Sequence, residues 1–168
     1  MFKIEFNKTI ELGVIDVEDT SVSEAIWSTY PDYKPDVFIH WKGYQIELDK
    51  RGDISSIYND IIDMLEELIN NNSLFKSGFL SSTFKAYWNF KVEERTIKIK
   101  PQFFVASIKN NDMYLANEEI RKLDLDIEID FDYFISEWSK LLKSIKEDLL
   151  KVGYTEDLEN FEYLKNLK

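Results

Sequence analysis

Four carboxylates alternate with aliphatic residues in the second half of the sequence: Asp124, Asp126, Glu128 and Asp130. Carboxylate oxygens are the ligands that Mg²⁺ and Ca²⁺ prefer. Side chains two residues apart on a strand lie about 6.8 Å from each other, so two neighbours cannot hold one ion without a third ligand. No glycine and terminal glutamate stand at calcium-loop spacing. This acidic row therefore predicts the solvated face of a strand or a ladder that binds a protein, and no metal site.

General acid–base chemistry has one histidine available, His40, on the same face of a predicted hairpin as Glu47. Together with an acid such as Asp49, this pair would suit a small hydrolase or a ligand-binding protein. The chain has no cysteine, and no nucleophile, phosphate-binding or zinc-protease motif occurs. The sequence therefore favours a non-catalytic protein without a cofactor and keeps the hydrolase or ligand-binding protein as an alternative.

Lysines and one tyrosine share a face of the next predicted strands: Lys85, Tyr87, Lys91, Lys98 and Lys100. Such a face can stack nucleic-acid bases, but glycine–aromatic signatures are missing and a net charge of −11 disfavours nucleic acid. We expect Lys85, Lys98 and Lys100 to lie beside the acidic row, on strands close enough for cross-strand ion pairs. If the strands belong to different sheets, the row stands free to bind a partner.

A third cluster combines aromatic and acidic residues near the N-terminus. Its aromatic members are Trp27, Tyr30 and Tyr33, and its acids are Asp16, Glu18, Asp19, Glu24, Asp32 and Asp36. Aromatic rings framed by charge are typical of interface hot spots with a polar rim. The cluster therefore predicts either core packing beside solvated loops or a partner-binding patch.

The net charge is divided into three blocks along the chain. Residues 1–70 carry a net charge of −9, residues 71–110 carry +5, and residues 111–168 carry −7. Surfaces with segregated potential steer charged macromolecular partners. The acidic excess favours a basic protein as the partner.

Periodicity predicts the elements that position these residues. Strands are expected at Phe2–Phe6, Thr9–Val17, Met113–Ala116 and Lys122–Asp130, and two further strands over Phe84–Val105 are joined by a turn near Glu93-Glu94. Residues 73–82 are expected to form a loop around Gly78. The segment Val37–Asp49 predicts a hairpin that turns at Lys42-Gly43 and pairs Trp41 with Tyr44, Ile39 with Ile46 and Val37 with Leu48.

Helices are expected at four places: Ser23–Tyr30, Asp53–Ile69 with Asp53 as the N-cap, Asp132–Gly153, and a short final helix capped by Thr155. The last segment carries an apolar stripe of Leu158, Phe161, Leu164 and Leu167. This stripe predicts docking on the core of its own chain, with a homodimer as the alternative.

The order of elements predicts a single α+β domain over residues 1–168, with a mainly antiparallel sheet and helices packed on one face. The N-terminus lacks a signal-peptide pattern, and no run approaches about 18 apolar residues. We therefore expect a cytoplasmic protein with no membrane partner.

The chain resembles the small acidic immunity proteins that bacteria encode beside polymorphic or contact-dependent toxins. The resemblance lies in the hairpin-rich middle Phe84–Val105, the acidic segment Leu123–Ile129 and the closing helix Phe134–Leu150 that leads into Val152-Gly153-Tyr154. It implies tight binding to a cognate toxin domain, often a nuclease, and no enzymatic activity of the chain itself.

Overall fold

The computed structural model describes all 168 residues. The strands are β1 (Phe2–Phe6), β2 (Val37–Trp41), β3 (Tyr44–Leu48), β4 (Leu74–Leu80), β5 (Lys85–Glu93), β6 (Thr96–Val105), β7 (Ser107–Asn110), β8 (Met113–Tyr114) and β9 (Ile127–Asp130). The helices are α1 (Val22–Thr29), α2 (Ser55–Ile69), α3 (Asn117–Ile120), α4 (Phe131–Val152) and α5 (Glu162–Lys165), and a π-helical turn (Lys50–Ile54) leads into α2.

The strands form two antiparallel sheets. The five-stranded sheet has the order β1-β2-β3-β7-β8, and the four-stranded sheet has the order β4-β5-β6-β9. Only Ala106 separates β6 from β7, so the chain passes directly from one sheet into the other. The α+β class with mainly antiparallel strands, as predicted from the sequence, is confirmed.

The two sheets and α4 enclose one aromatic core. Trp41 of the five-stranded sheet contacts Trp88 and Phe103 of the four-stranded sheet, with ring centroids 4.8 and 5.9 Å apart. From α4, Phe134 lies 5.0 Å from the Phe2 ring, and Trp138 lies 6.4 Å from the Trp88 ring. The longest helix therefore packs against both sheets.

The hairpin prediction is confirmed residue by residue. Trp41 pairs with Tyr44, Ile39 with Ile46 and Val37 with Leu48. At the turn, Lys42 and Gly43 have φ values of 51° and 87°, the left-handed geometry of the favoured two-residue hairpin turn.

Two strand assignments are wrong. Residues 9–17 form no strand, and Ile10, Val14 and Val17 point into solvent, so their alternating pattern marks a surface segment. The expected loop at 73–82 instead contains β4, an edge strand that pairs with β5 from Leu74 to Leu80. Its inward residues Ser77 and Phe79 alternate with outward ones, although Gly78 disfavours a strand.

Several boundaries also differ. Asp49, and not Asp53, provides the N-terminal cap, because it accepts a hydrogen bond from the Gly52 amide ahead of the π-helical turn. Only the last four residues of the expected strand 122–130 are paired, and Asp130 caps α4. Thr155 begins no helix.

The C-terminal stripe packs on its own chain. Phe161 and Leu164 are fully buried, and Leu158 and Leu167 lie against the core half-buried. None of the helices is long and apolar enough to cross a membrane.

Candidate functional site

The acidic row predicted from the sequence is largely engaged within the molecule. Asp124 forms an ion pair with Lys42 at 3.0 Å, and this hydrogen bond lowers the pKa of the Asp124 carboxyl. Asp130 accepts a hydrogen bond from the Tyr133 amide as the cap of α4. Asp126 is exposed and forms no ion pair. The row is therefore partly structural.

Glu128 and Lys98 stand opposite each other on β9 and β6, 3.8 Å apart. The expected cross-strand pairing is thus confirmed for Lys98. The same lysine also pairs with Glu93, which lies between Lys98 and Lys91, and these two hydrogen bonds lower the pKa of Glu93 to about 2. Lys100 also lies beside the row, on β6, and lines one groove with Asp126, but no carboxylate oxygen lies within 4.0 Å of its ammonium group. For Lys85 the prediction is wrong, because it lies on β5, which does not pair with β9.

The aromatic cluster is organised by Arg51. Its guanidinium lies 4.4 Å from the Trp27 ring centroid and 5.1 Å from that of Tyr33, and it donates hydrogen bonds to the Trp27 and Tyr30 carbonyls. Trp27 and Tyr33 are 42% and 58% exposed. The prediction that Tyr30 belongs to a partner-binding patch is wrong. Its side chain is 1% exposed, and its hydroxyl donates a hydrogen bond to Asp148.

A network of buried charges supports this cluster from inside. The Lys50 ammonium donates to the Asn7 carbonyl and lies 4.8 Å from the Tyr30 ring centroid, and burial lowers the pKa of Lys50. Burial also raises the pKa of Asp49 to about 6. Asp53 accepts hydrogen bonds from the Ser81 and Thr83 hydroxyls. These groups fasten the π-helical turn to the chain around it.

The structure gives the three residues of the alternative hydrolase hypothesis separate partners. His40 bonds to Glu5 at 3.1 Å. Glu47 bonds to Lys109 and Tyr114, and Asp49 caps the π-helical turn. These contacts bring no two of the three residues together in a constellation.

A different surface carries half of the carboxylates that form no ion pair. Three segments, residues 16–24, 59–67 and 156–162, contain twelve Asp and Glu residues and no Lys or Arg. The twelve are Asp16, Glu18, Asp19, Glu24, Asp60, Asp63, Glu66, Glu67, Glu156, Asp157, Glu159 and Glu162. None of them is in an ion pair, and nine are exposed. We call this surface the acidic face.

Direct hydrogen bonds join the three segments. The Glu159 amide donates to the Thr20 carbonyl at 2.9 Å, and the Val22 amide donates to the Glu159 carbonyl at 3.0 Å. On the other side, Asn160 bonds to the Asn59 side chain at 3.1 Å. The acidic face is therefore one continuous surface that spans the N-terminal loop, α2 and the C-terminal segment.

A shallow groove crosses this face between α2 and α5. Its lining includes Asp63, Glu66 and Glu162 beside Ile62 and Tyr163. One turn away, burial and the nearby Asp63 raise the pKa of Asp60 to about 6. No group of acidic and histidine side chains is arranged to hold a metal ion. The three carboxylates that line the groove form no ion pair within the chain.

Apolar side chains accompany these charges. Val17, within the first acidic segment, is 84% exposed, and Val14 and Ile10 are exposed a few residues before it. Exposed apolar groups beside a charged rim are typical of protein interfaces. Sequence reasoning noted Asp16 to Glu24 but missed the contribution of α2 and the C-terminal segment, because only the fold unites them. The available signal was the absence of Lys and Arg from each segment.

Comparison with known proteins gives no relative: the chain matches no protein-family model, and no curated protein or solved structure matches it.

Proposed function

We propose that this chain is a non-catalytic binding protein that neutralises a basic protein partner, as an immunity protein neutralises a bacterial toxin domain. The observation that carries the proposal is the acidic face, with twelve carboxylates and no cation of its own. Such a surface attracts a basic partner over long range and accelerates its association. The exposed valines beside it supply apolar contact area, which charge alone does not.

The distribution of ion pairs within the chain supports this choice of surface. In the acidic row, Asp124 and Glu128 already have lysine partners, so a competing ligand must break those ion pairs. Asp63, Glu66 and Glu162 have no side-chain partner to release. Reversing the charge of the free carboxylates therefore tests partner binding with little disturbance of the fold.

The experiment uses a basic domain encoded next to this chain as the binding partner. Two triple variants are compared with the wild type: Asp63→Lys/Glu66→Lys/Glu162→Lys on the acidic face, and Asp124→Lys/Asp126→Lys/Glu128→Lys on the row. Both change the net charge equally. We expect the acidic-face variant to associate about 10-fold more slowly or worse, and the row variant to change the rate less. Stopped-flow fluorescence measures both rates.

A matching biological measurement is protection of cells that produce the toxin domain. The wild type should protect, and the acidic-face variant should protect less. If the adjacent domain does not bind, or if both triple variants bind it as fast as the wild type, the proposal is wrong. A larger effect in the row variant would move the interface to Asp124–Asp130.

A further inference from the structure

The outer side of the four-stranded sheet is a positively charged surface on an acidic protein. Five lysines point outward from three adjacent strands: Lys76 on β4, Lys85 and Lys91 on β5, and Lys98 and Lys100 on β6. We call this surface the basic face. Within β4, β5 and β6, the only acidic residue whose side chain bonds to these lysines is Glu93, at the end of β5.

Only part of this charge is neutralised. Lys91 and Lys98 are paired with Glu93 and Glu128. Lys76, Lys85 and Lys100 have no carboxylate oxygen within 4.0 Å. Cross-strand pairing with the acidic row thus explains Lys98 alone. Lys91 is paired with Glu93 of its own strand, and the other three lysines are in no ion pair.

The basic face also exposes apolar and aromatic side chains. Leu74 and Leu80, at the two ends of β4, are 78% and 65% exposed. Tyr87 and Phe104 contact each other edge to face at 5.4 Å, and the Lys76 ammonium lies 4.1 Å from the Tyr87 ring centroid. No helix covers these residues, so the surface combines unpaired cations with anchor groups that suit a protein interface.

We propose that the basic face binds the acidic face of a second copy of this chain. The two surfaces are complementary in charge and share no residue. One presents unpaired lysines beside exposed leucines, and the other presents unpaired carboxylates beside exposed valines. In the contact, the lysines of one copy would form ion pairs with the carboxylates of the other.

The contact is heterologous, because a surface on one copy meets a different surface on the next. Each chain carries −11, so two copies repel each other at long range. At about 0.1–0.15 M salt this repulsion is screened beyond roughly 10 Å, whereas groups in direct contact still attract. The association is therefore weak, and it is lost again at high salt, when the contact pairs are screened as well.

Heterologous contact allows a decisive mixing experiment with the purified protein alone. One variant, Lys76→Glu/Lys85→Glu/Lys100→Glu, removes the basic face and keeps the acidic face. The other, Asp63→Lys/Glu66→Lys/Glu162→Lys, does the reverse. We expect each variant alone to sediment as a monomer, and an equimolar mixture to form a 1:1 complex. The wild type should self-associate near 0.1 M salt and dissociate near 0.5 M.

The control variant Lys34→Glu/Lys143→Glu/Lys151→Glu carries the same charge change on exposed lysines outside the basic face, and it should self-associate like the wild type. Sedimentation velocity that finds the wild type monomeric at 0.1 M salt up to about 1 mM, or a mixture of the two face variants that stays monomeric, overturns the inference. An oligothymidylate of about 12 nucleotides tests nucleic acid as the ligand. If it binds the wild type but not the basic-face variant, and the mixture stays monomeric, the basic face binds nucleic acid instead.

The inference does not depend on the identity of the toxin-like partner. Because both proposals use the acidic face, the basic-face variant separates them: it should lose self-association and still bind the basic partner. If it loses partner binding as well, the self-association proposal is wrong, because the basic face then belongs to the partner's interface.

Discussion

The indole rings of Trp41 and Trp88 lie 4.8 Å apart at the junction of the two sheets, but only one has its N–H satisfied. The Trp41 indole donates to the Leu125 carbonyl at 2.7 Å, whereas the Trp88 N–H finds no acceptor in the protein. Two buried residues of the same type therefore differ in one hydrogen bond.

This difference predicts unequal effects of the same substitution. Trp41→Phe and Trp88→Phe each remove similar volume from the core, but only Trp41→Phe also leaves a buried acceptor, the Leu125 carbonyl, without its donor. We expect Trp41→Phe to lower the free energy of unfolding by about 1 kcal/mol more than Trp88→Phe. Urea unfolding followed by circular dichroism measures both. Equal losses would show that the hydrogen bond contributes nothing measurable.

Glu137 provides a second prediction, because this fully buried carboxylate of α4 accepts a hydrogen bond at 2.8 Å from the Ile4 amide. Strand β1 is an edge of the five-stranded sheet, and a free amide there would invite pairing with another chain. Glu137→Leu leaves that amide unpaired, so we expect a loss of about 1–3 kcal/mol in the free energy of unfolding and faster hydrogen exchange at Ile4.

Glu137→Gln is the matched control, since its amide oxygen can still accept from Ile4. Exchange at Ile4 should then stay close to the wild-type rate. In Glu137→Leu, exchange at Ile4 should rise by more than exchange in β2, which reports the global loss of stability. Rapid exchange at Ile4 in Glu137→Gln would mean that the negative charge, and not the hydrogen bond, protects the edge.

The parts of the fold that could be predicted are those in which a local pattern faces one core. The hairpin at Lys42-Gly43 is such a case, because a one-residue shift in its register would expose its apolar side chains. The helices α2 and α4 are others, because their apolar residues recur at helical spacing on one side. Strand β4 could not be predicted in this way. Its Gly78 favours a turn locally, and only the long-range pairing with β5 overrides that preference.

The candidate site shows the same division. The carboxylates of the Asp124–Asp130 row attract attention in the sequence because they alternate, but the fold gives Asp124 and Glu128 lysine partners. Glu66 and Glu162 carry no motif and lie 96 residues apart in the chain, yet they line one groove. Spatial convergence of unpaired charge depends on tertiary packing, so no local pattern reports it.

Asp60 predicts a specific pH dependence of stability. Burial and the neighbouring Asp63 raise its pKa from 3.8 to about 6 in the folded protein. The folded state therefore holds this proton more tightly than the unfolded state, and the stability linked to it is present below pH 4 and lost as the pH rises through 6. Asp60→Asn removes the titration, so we expect it to be more stable than the wild type by about 1–2 kcal/mol at pH 8 and equal to it near pH 4.

Urea unfolding at several pH values between 4 and 8 provides the measurement, and Asp126→Asn at an exposed position is the control. The control should follow the wild-type curve throughout. A stability difference for Asp60→Asn that is constant across this range would contradict the assignment, because a constant difference does not come from titration.

Gly78 and Tyr87 face each other on β4 and β5, and the fit between them predicts a coupling energy. A Cβ added at Gly78 would lie 2.8 Å from Cε1 of the Tyr87 ring, so Gly78→Ala forces the ring away from Phe104 and Lys76. We expect Gly78→Ala to lower the free energy of unfolding by about 1 kcal/mol in the wild type. In a Tyr87→Ala background it should be neutral or stabilising, because alanine suits a strand interior better than glycine. The double-mutant cycle then gives a coupling of about 1 kcal/mol, above the 0.3–0.5 kcal/mol within which independent sites add.

The same cycle with the exposed Tyr133 of α4 in place of Tyr87 should be additive. If the Tyr87 cycle is additive too, the ring does not rest on Gly78 in solution, and the contacts that fix Tyr87 on the basic face are absent.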